Sequence, residues 1–248
     1  MVLTRLRRAT PRLLVAACAL AVVAAFFAVR FPDVPGASIG SYVSTFLIAL
    51  PSAVALFGYL GPSRALLSLL VLSGFAYGIE SLGVVTGFPY GHFFYGEALG
   101  PTLAGLVPFL LPVSYVPLVV GAVAATWGAP RPLHIAFSAL ILVWMDTILD
   151  PGATLLGFWV WPGGGAYYGV PASNFAGWLL SGALAAALLL TTGRWSDSPH
   201  QGLLDSAVIS TAFWTAVATF SGLVLPALLG ITLLVFLLAR RAYLPASK

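Results

Sequence analysis

Charge is scarce in this 248-residue chain: only 7% of residues are charged, seven acidic and eleven basic, against 60% hydrophobic. A soluble domain carries about 25% charged residues. A chain with so little polar surface cannot cover itself in water, so lipid is its expected solvent. Cysteine is almost absent. Cys18 stands alone in the first apolar run, which excludes an internal disulfide and a thiolate metal cluster. Histidine is nearly as rare, with His92, His134 and His200 far apart. That excludes the clustered histidine boxes of a membrane di-iron oxygenase. His134 falls near an inner helix end and reads as a snorkelling side chain. No P-loop occurs, and no GxGxxG follows a strand. The net charge of +4 forms no basic patch, so nucleic acid is not an expected partner. The basic residues stand near the ends of apolar runs, as interfacial topology signals do.

What the chain has is long apolar runs. A spanning helix needs about 20 such residues. Eight candidates follow: Leu13 to Val29, Ile39 to Leu60, Ala65 to Val85, Leu103 to Trp127, Leu133 to Leu149, Phe175 to Leu190, Leu203 to Phe220 and Leu223 to Ala239. Ser221-Gly222 divides the last two. The expected fold is an all-α polytopic bundle of about eight helices, one membrane domain over residues 1–248 with no soluble domain. Pro51, Pro108, Pro112 and Pro117 fall inside expected helices, which membrane helices tolerate. With a cytoplasmic start, Arg5, Arg7, Arg8, Arg12, Arg64, Arg131, Arg194, Arg240, Arg241 and Lys248 lie inside, and only Arg30 outside. This is a positive-inside pattern with both termini cytoplasmic in a cell membrane. The first run is long for a signal-peptide core and reads as an uncleaved anchor.

Intramembrane ionisable groups are functional candidates by default. Asp33, Asp197 and Asp205 lie in or near loops and read as solvated charges. Glu80, Glu97, Asp146 and Asp150 all fall toward the outer side. Asp146 and Asp150, four residues apart, share one helical face, and Pro151 predicts that the helix ends at Asp150. Two outer connections, residues 87–101 and 157–178, are dense in aromatics, glycine and proline. An aromatic belt with turns accounts for part of this. Gly163-Gly164-Gly165 reads as a flexible turn. A carboxyl in a low-dielectric pocket holds its proton at neutral pH, and aromatic faces stabilise a cation. Acid, aromatics and an apolar pocket together suit alkene chemistry through a carbocation, with water as the oxygen source.

Specific motifs lie at these loops: Gly87-Phe-Pro-Tyr-Gly91 with Tyr95, Leu99-Gly-Pro101, Asp146, Asp150-Pro151, Gly157, Trp159-Val-Trp161, Tyr167-Tyr-Gly-Val-Pro171, Ser173-Asn174-Phe175 and Gly177-Trp178. On them the chain resembles the carotenoid biosynthesis membrane-protein family that contains bisanhydrobacterioruberin hydratase and related carotenoid hydratases. The resemblance covers roughly residues 74–178. It departs at Gly96, where the family pattern has a small hydroxyl residue ahead of the acid, here Glu97.

The resemblance implies hydration of terminal carbon–carbon double bonds of an acyclic carotenoid, fifty-carbon bisanhydrobacterioruberin-type or forty-carbon, giving a tertiary alcohol. It implies no cofactor and no metal. Asp146 or Asp150 would be the acid, the other orienting water or sharing the proton. Glu80 is the next acid candidate, and Glu97 a further one. Tyr90, Tyr95, Trp159, Trp161 and Tyr168 would line the substrate pocket, Asn174 would hold water, and His92 would be an auxiliary polar group. Other carotenoid-biosynthesis membrane enzymes are implied partners, besides lipid. Two other readings stay open: a lycopene-cyclase-like enzyme that protonates a similar alkene but excludes water, and a proton-coupled transporter. The gathering of carboxylates near one surface disfavours the transporter, whose sites sit at the midplane.

Overall fold

A computed structural model describes residues 12–32, 34 and 37–246, with only the backbone at 37–38. Arg5, Arg7, Arg8, Asp33 and Lys248 lie outside the described residues. Within them the chain forms eight α-helices: α1 (Arg12–Arg30), α2 (Ala37–Leu60), α3 (Pro62–Thr86), α4 (Leu111–Ala125), α5 (Arg131–Leu155), α6 (Ala172–Gly193), α7 (Asp205–Phe220) and α8 (Val224–Tyr243). Seven are long and apolar enough to cross a membrane, α7 together with the 3₁₀ turn Gln201–Leu204 before it. The molecule is an all-α polytopic bundle.

The shorter helix is α4, and it sits at the centre. Every residue from Tyr115 to Ala125 is buried, with α2, α3, α5, α6 and α7 packed around it. Small residues permit the close approach. A Cβ on Gly121 would overlap Ala207 of α7, and one on Gly230 of α8 would overlap Thr215 of α7. Along α7, Thr211, Thr215 and Thr219 each donate to the carbonyl four residues earlier, which satisfies their hydroxyls without water.

The expected fourth span is corrected at its start. Residues Thr102–Leu103 (β2) and Val107–Pro108 (β3) pair as a small hairpin, and the helix begins only at Leu111. Ala104 and Gly105 take positive φ between the strands, and Pro108 has no N–H for a helix. The Tyr77 hydroxyl donates to the Phe109 carbonyl at 2.6 Å, so this extended segment runs alongside α3.

The expected end of the fifth span at Asp150 is also corrected. α5 continues through Pro151 to Leu155. Proline cannot donate to the carbonyl four residues back, that of Thr147. Tyr167 supplies the missing donor from the second loop.

Arg131 donates to Thr191 near the end of α6, and Arg240 donates to the Ala125 and Trp127 carbonyls at the end of α4. These contacts place the arginines at one end of the bundle and cap α4 with positive charge. Two polar expectations change there. Asp205 is not simply solvated: it accepts from the buried Arg241 at 2.7 Å. His134 does not snorkel. It is buried and its Nε2–H donates to the Val123 carbonyl at 2.8 Å.

Candidate active site

The two aromatic loops form one cap at the end of the bundle away from the arginines. Phe94–Tyr95 (β1) pairs antiparallel with Trp159–Val160 (β4), and Gly96 N–H continues the pairing to the Phe158 carbonyl at 2.8 Å. A Cβ on Gly96 would overlap the Gly157 carbonyl, so this chain has no room for a larger residue before Glu97. Gly165 is equally confined, against the Val170 carbonyl, while Gly163 and Gly164 of the same turn have open space around them.

Tyr90 is the cap's wedge. Its ring inserts between α3 and α6 where both offer glycine: a Cβ would come within 2.8 Å of the ring from Gly83 and 2.5 Å from Gly177. Ser173 Oγ donates to the Tyr90 carbonyl at 2.9 Å and pins the loop to the start of α6. Tyr90, Phe93, Trp161 and Val170 form a separate buried cluster, with Phe93 and Trp161 ring centroids 5.1 Å apart.

Beneath the cap lie the carboxyls. Asp146 is 1% exposed, Asp150 2%, Asn174 2% and Glu80 6%. α5 presents the two aspartates one turn apart, and Asn174 faces them from the first turn of α6. Its Nδ2 donates to Asp146 Oδ2 at 2.8 Å and also to Asp150 Oδ2. Glu80, from α3, accepts from the Tyr95 hydroxyl at 2.8 Å. Burial, and then Glu80 beside it, holds that hydroxyl well above the ordinary tyrosine range, so it remains a donor. Asp146 and Asp150 also share a hydrogen bond with one another.

A cavity of about 50 Å³ opens between these groups. One water needs about 10–15 Å³ of such space. Glu80, Asp150 and Asn174 give it polar walls. Tyr90, Tyr95, Trp159 and Trp161 give it aromatic ones, joined by Phe93, Leu111 and Trp178. Asp146 lies behind Asn174 and does not line the cavity, and three further proposed residues stand apart from it. Tyr168 is 41% exposed, and its hydroxyl lies 3.4 Å from the Leu225 N–H. Glu97 is exposed in the 3₁₀ turn Glu97–Leu99. His92 is exposed, its ring against Gly87. Sequence reasoning passed over Trp178, although it follows Asn174 by one helical turn and so shares its face. Phe93 and Leu111 carried no such signal, because the pairing of β1 with β4 and the late start of α4 place them.

Fold and site together define a polytopic α-helical membrane protein with a buried carboxyl pair under an aromatic cap. The chain belongs to the carotenoid biosynthesis protein family, whose model matches residues 39–237. It is 39% identical over 190 residues to bisanhydrobacterioruberin hydratase from Haloarcula japonica. That alignment covers 71% of this chain and 63% of the relative, less than two thirds of the relative's length. No solved structure matches the chain.

Proposed function

We propose that the protein is a carotenoid hydratase, a hydro-lyase that adds water to the terminal carbon–carbon double bond of an acyclic carotenoid. The observation that carries this reading is Asp150 opening onto a small cavity walled by aromatic rings, with Asn174 beside it at the wall and Asp146 behind them. The named relative supports the same reading and favours a bisanhydrobacterioruberin-type substrate. A cavity this small accepts only the end of a slender chain, which suits reaction at a terminal alkene.

In this reading one carboxyl of the pair carries a proton. Asp150, at the cavity wall, transfers it to the less substituted alkene carbon. The tertiary cation rests against Tyr95, Trp159, Trp161 and Trp178. Water adds to the cation, and its released proton goes to the other carboxylate, so the pair ends with the proton count it began with. Asn174 holds both carboxyls in register throughout. The substrate gains one hydrogen from the acid and one hydroxyl from water, with no change in electron count. A cyclase acting on the same alkene needs a dry pocket; the polar wall of Glu80, Asp150 and Asn174 favours water. We place this site toward the outer face of the cell membrane, with both termini cytoplasmic. Other carotenoid-biosynthesis membrane enzymes are its proposed neighbours.

Isotope origin tests the reading. Membranes containing the protein, incubated without dioxygen in ¹⁸O-water with an acyclic carotenoid, should yield a tertiary alcohol carrying the label. An oxygen-free cyclic product, or a hydroxyl drawn only from dioxygen, would overturn it.

A further inference from the structure

Two carboxyl groups line the cavity from different helices, Asp150 from α5 and Glu80 from α3, and α4 and α6 each pack against both of those helices. The surroundings of the two differ in kind. Asp150 shares a hydrogen bond with Asp146, and both accept from Asn174. An ionised carboxylate only accepts, so a hydrogen bond between two carboxyls needs a proton on one of them. Among the described residues Glu80 has no carboxyl hydrogen-bonded to it. Its partners are phenols: the Tyr95 hydroxyl donates to Oε2 at 2.8 Å, and Tyr90 hydrogen-bonds to the same carboxyl.

Both phenols come from the cap and have little freedom. The Tyr90 ring is held between Gly83 and Gly177. Tyr95 sits in the β1–β4 pairing, edge-on to Phe93 and Trp159 at ring-centroid distances of 5.4 Å and 6.3 Å. Burial holds both hydroxyls well above the ordinary tyrosine range, so they remain donors. Ser181 hydrogen-bonds to Tyr90 as well. A tyrosine has one proton to give, and a second partner on its oxygen leaves that proton for Glu80. Donors on two sides suit an accepting carboxylate, as a shared proton suits an acid. A carboxylate has about four lone-pair sites. Two phenols leave acceptor capacity on Glu80 toward the cavity it lines.

We propose that Glu80 binds the attacking water, with Tyr95 and Tyr90 as positioning residues that aim its carboxylate. This rests on the hydratase reading and divides the work between the two carboxyls of the cavity wall. Asp150 gives its proton to the alkene carbon. Glu80 accepts a hydrogen bond from the hydrogen that stays in the product hydroxyl, which turns the water oxygen toward the cation. The carbon–oxygen bond forms, and the other hydrogen of water leaves as the proton that restores the aspartate pair. Glu80 begins and ends the cycle in the same state.

Glu80→Gln tests this in deuterated water. Glutamine keeps the shape but replaces an acceptor oxygen with a donor. A cation formed beside a misplaced water loses a proton and returns to alkene. The variant should therefore hydrate about 100-fold more slowly than wild type, while deuterium still enters the recovered unhydrated carotenoid. Asp150→Asn should lose hydration and exchange together. Exchange lost in step with hydration in Glu80→Gln would make Glu80 an acid, and hydration within twofold of wild type would leave it no role. Either result overturns the proposal.

Tyr95→Phe removes one oxygen atom and tests the aiming, alone if Glu80→Gln fails to accumulate. It should slow hydration about 10-fold with exchange retained. Added to Glu80→Gln it should slow hydration no further, because Tyr95 acts through Glu80. A wild-type rate in Tyr95→Phe, or effects that multiply in the double variant, would overturn the positioning role. A wild-type protein that exchanges deuterium but yields no alcohol would instead refute the hydratase reading itself.

Discussion

Tyr167 donates its hydroxyl to the Thr147 carbonyl at 3.0 Å, the acceptor that Pro151 cannot serve. Burial, and then its neighbour Tyr168, pushes the Tyr167 hydroxyl up to about 12, so it keeps its proton through any working pH. The second loop thereby repairs the helix on which both aspartates stand. Without the repair, the turn from Asp146 to Asp150 has an open carbonyl in a low-dielectric setting. Tyr167→Phe should cost about 1 kcal/mol of stability, read as a lower unfolding temperature. Pro151→Ala restores the helical N–H, and in that background Tyr167→Phe should cost almost nothing. An equal cost in both backgrounds would show that the bond does not serve the helix.

The aspartates carry the next expectation. Asparagine keeps the shape of aspartate but is no acid. Asp146→Asn and Asp150→Asn should each insert and accumulate normally, yet leave the carotenoid unhydrated. General acid–base catalysis contributes about 100- to 10,000-fold, so pigment chromatography will resolve the loss. Glu97→Gln should hydrate at the wild-type rate, because Glu97 is exposed and outside the cavity wall. If both aspartate variants hydrate normally, the site assignment fails and Glu80 is the first acid to test.

The glycines flanking Tyr90 should be as sensitive as the acids. Gly177→Ala puts a methyl 2.5 Å from the ring and 2.9 Å from the Pro89 carbonyl, where backbone must move. Overpacking of this kind costs about 1–3 kcal/mol. The cap should shift off the carboxyls, and hydration should fall with stability. Gly163 has open space around it, and Gly163→Ala should change neither by more than about 0.5 kcal/mol. Equal behaviour of the two variants would mean that Tyr90 is not wedged as described.

Orientation is tested by labelling. In a Cys18→Ala background, Gly163→Cys on the cap should react with an impermeant maleimide added to intact cells. Pro130→Cys, exposed at the arginine end, should react only after permeabilisation. The reverse pattern would invert the topology while leaving the hydratase reading intact.

Much of the site was legible because its signals are short-range. The four-residue spacing of Asp146 and Asp150 places them on one face of any helix, and the two aromatic loops stand out by composition alone. The start of α4 was not legible. Hydropathy runs unbroken from Leu103, and only the positive-φ turn at Ala104 and Gly105 interrupts it. Pro151 misled for a related reason. The helix runs on past the proline while a distant group serves the open carbonyl, and that group, Tyr167, lies twenty residues away. Asp205 looked solvated because its partner, Arg241, comes 36 residues later.

Composition and hydropathy by themselves determined that lipid is the solvent, that helices are the fold, and that four acids lie toward one side. Each of these follows from transfer free energy and local periodicity, which any stretch of chain carries with it. Which acids meet, and over what, was decided by the tertiary structure. Asn174 reaches back 28 residues to Asp146, and Ser173 reaches back 83 to Tyr90. Glycines on two helices leave space for one tyrosine. Those contacts join segments that share no local pattern. The packing gathers Asp146, Asp150, Asn174 and Glu80 beneath the cap and leaves Glu97, His92 and Tyr168 outside the cavity, because side-chain distances are set only when the helices close on one another.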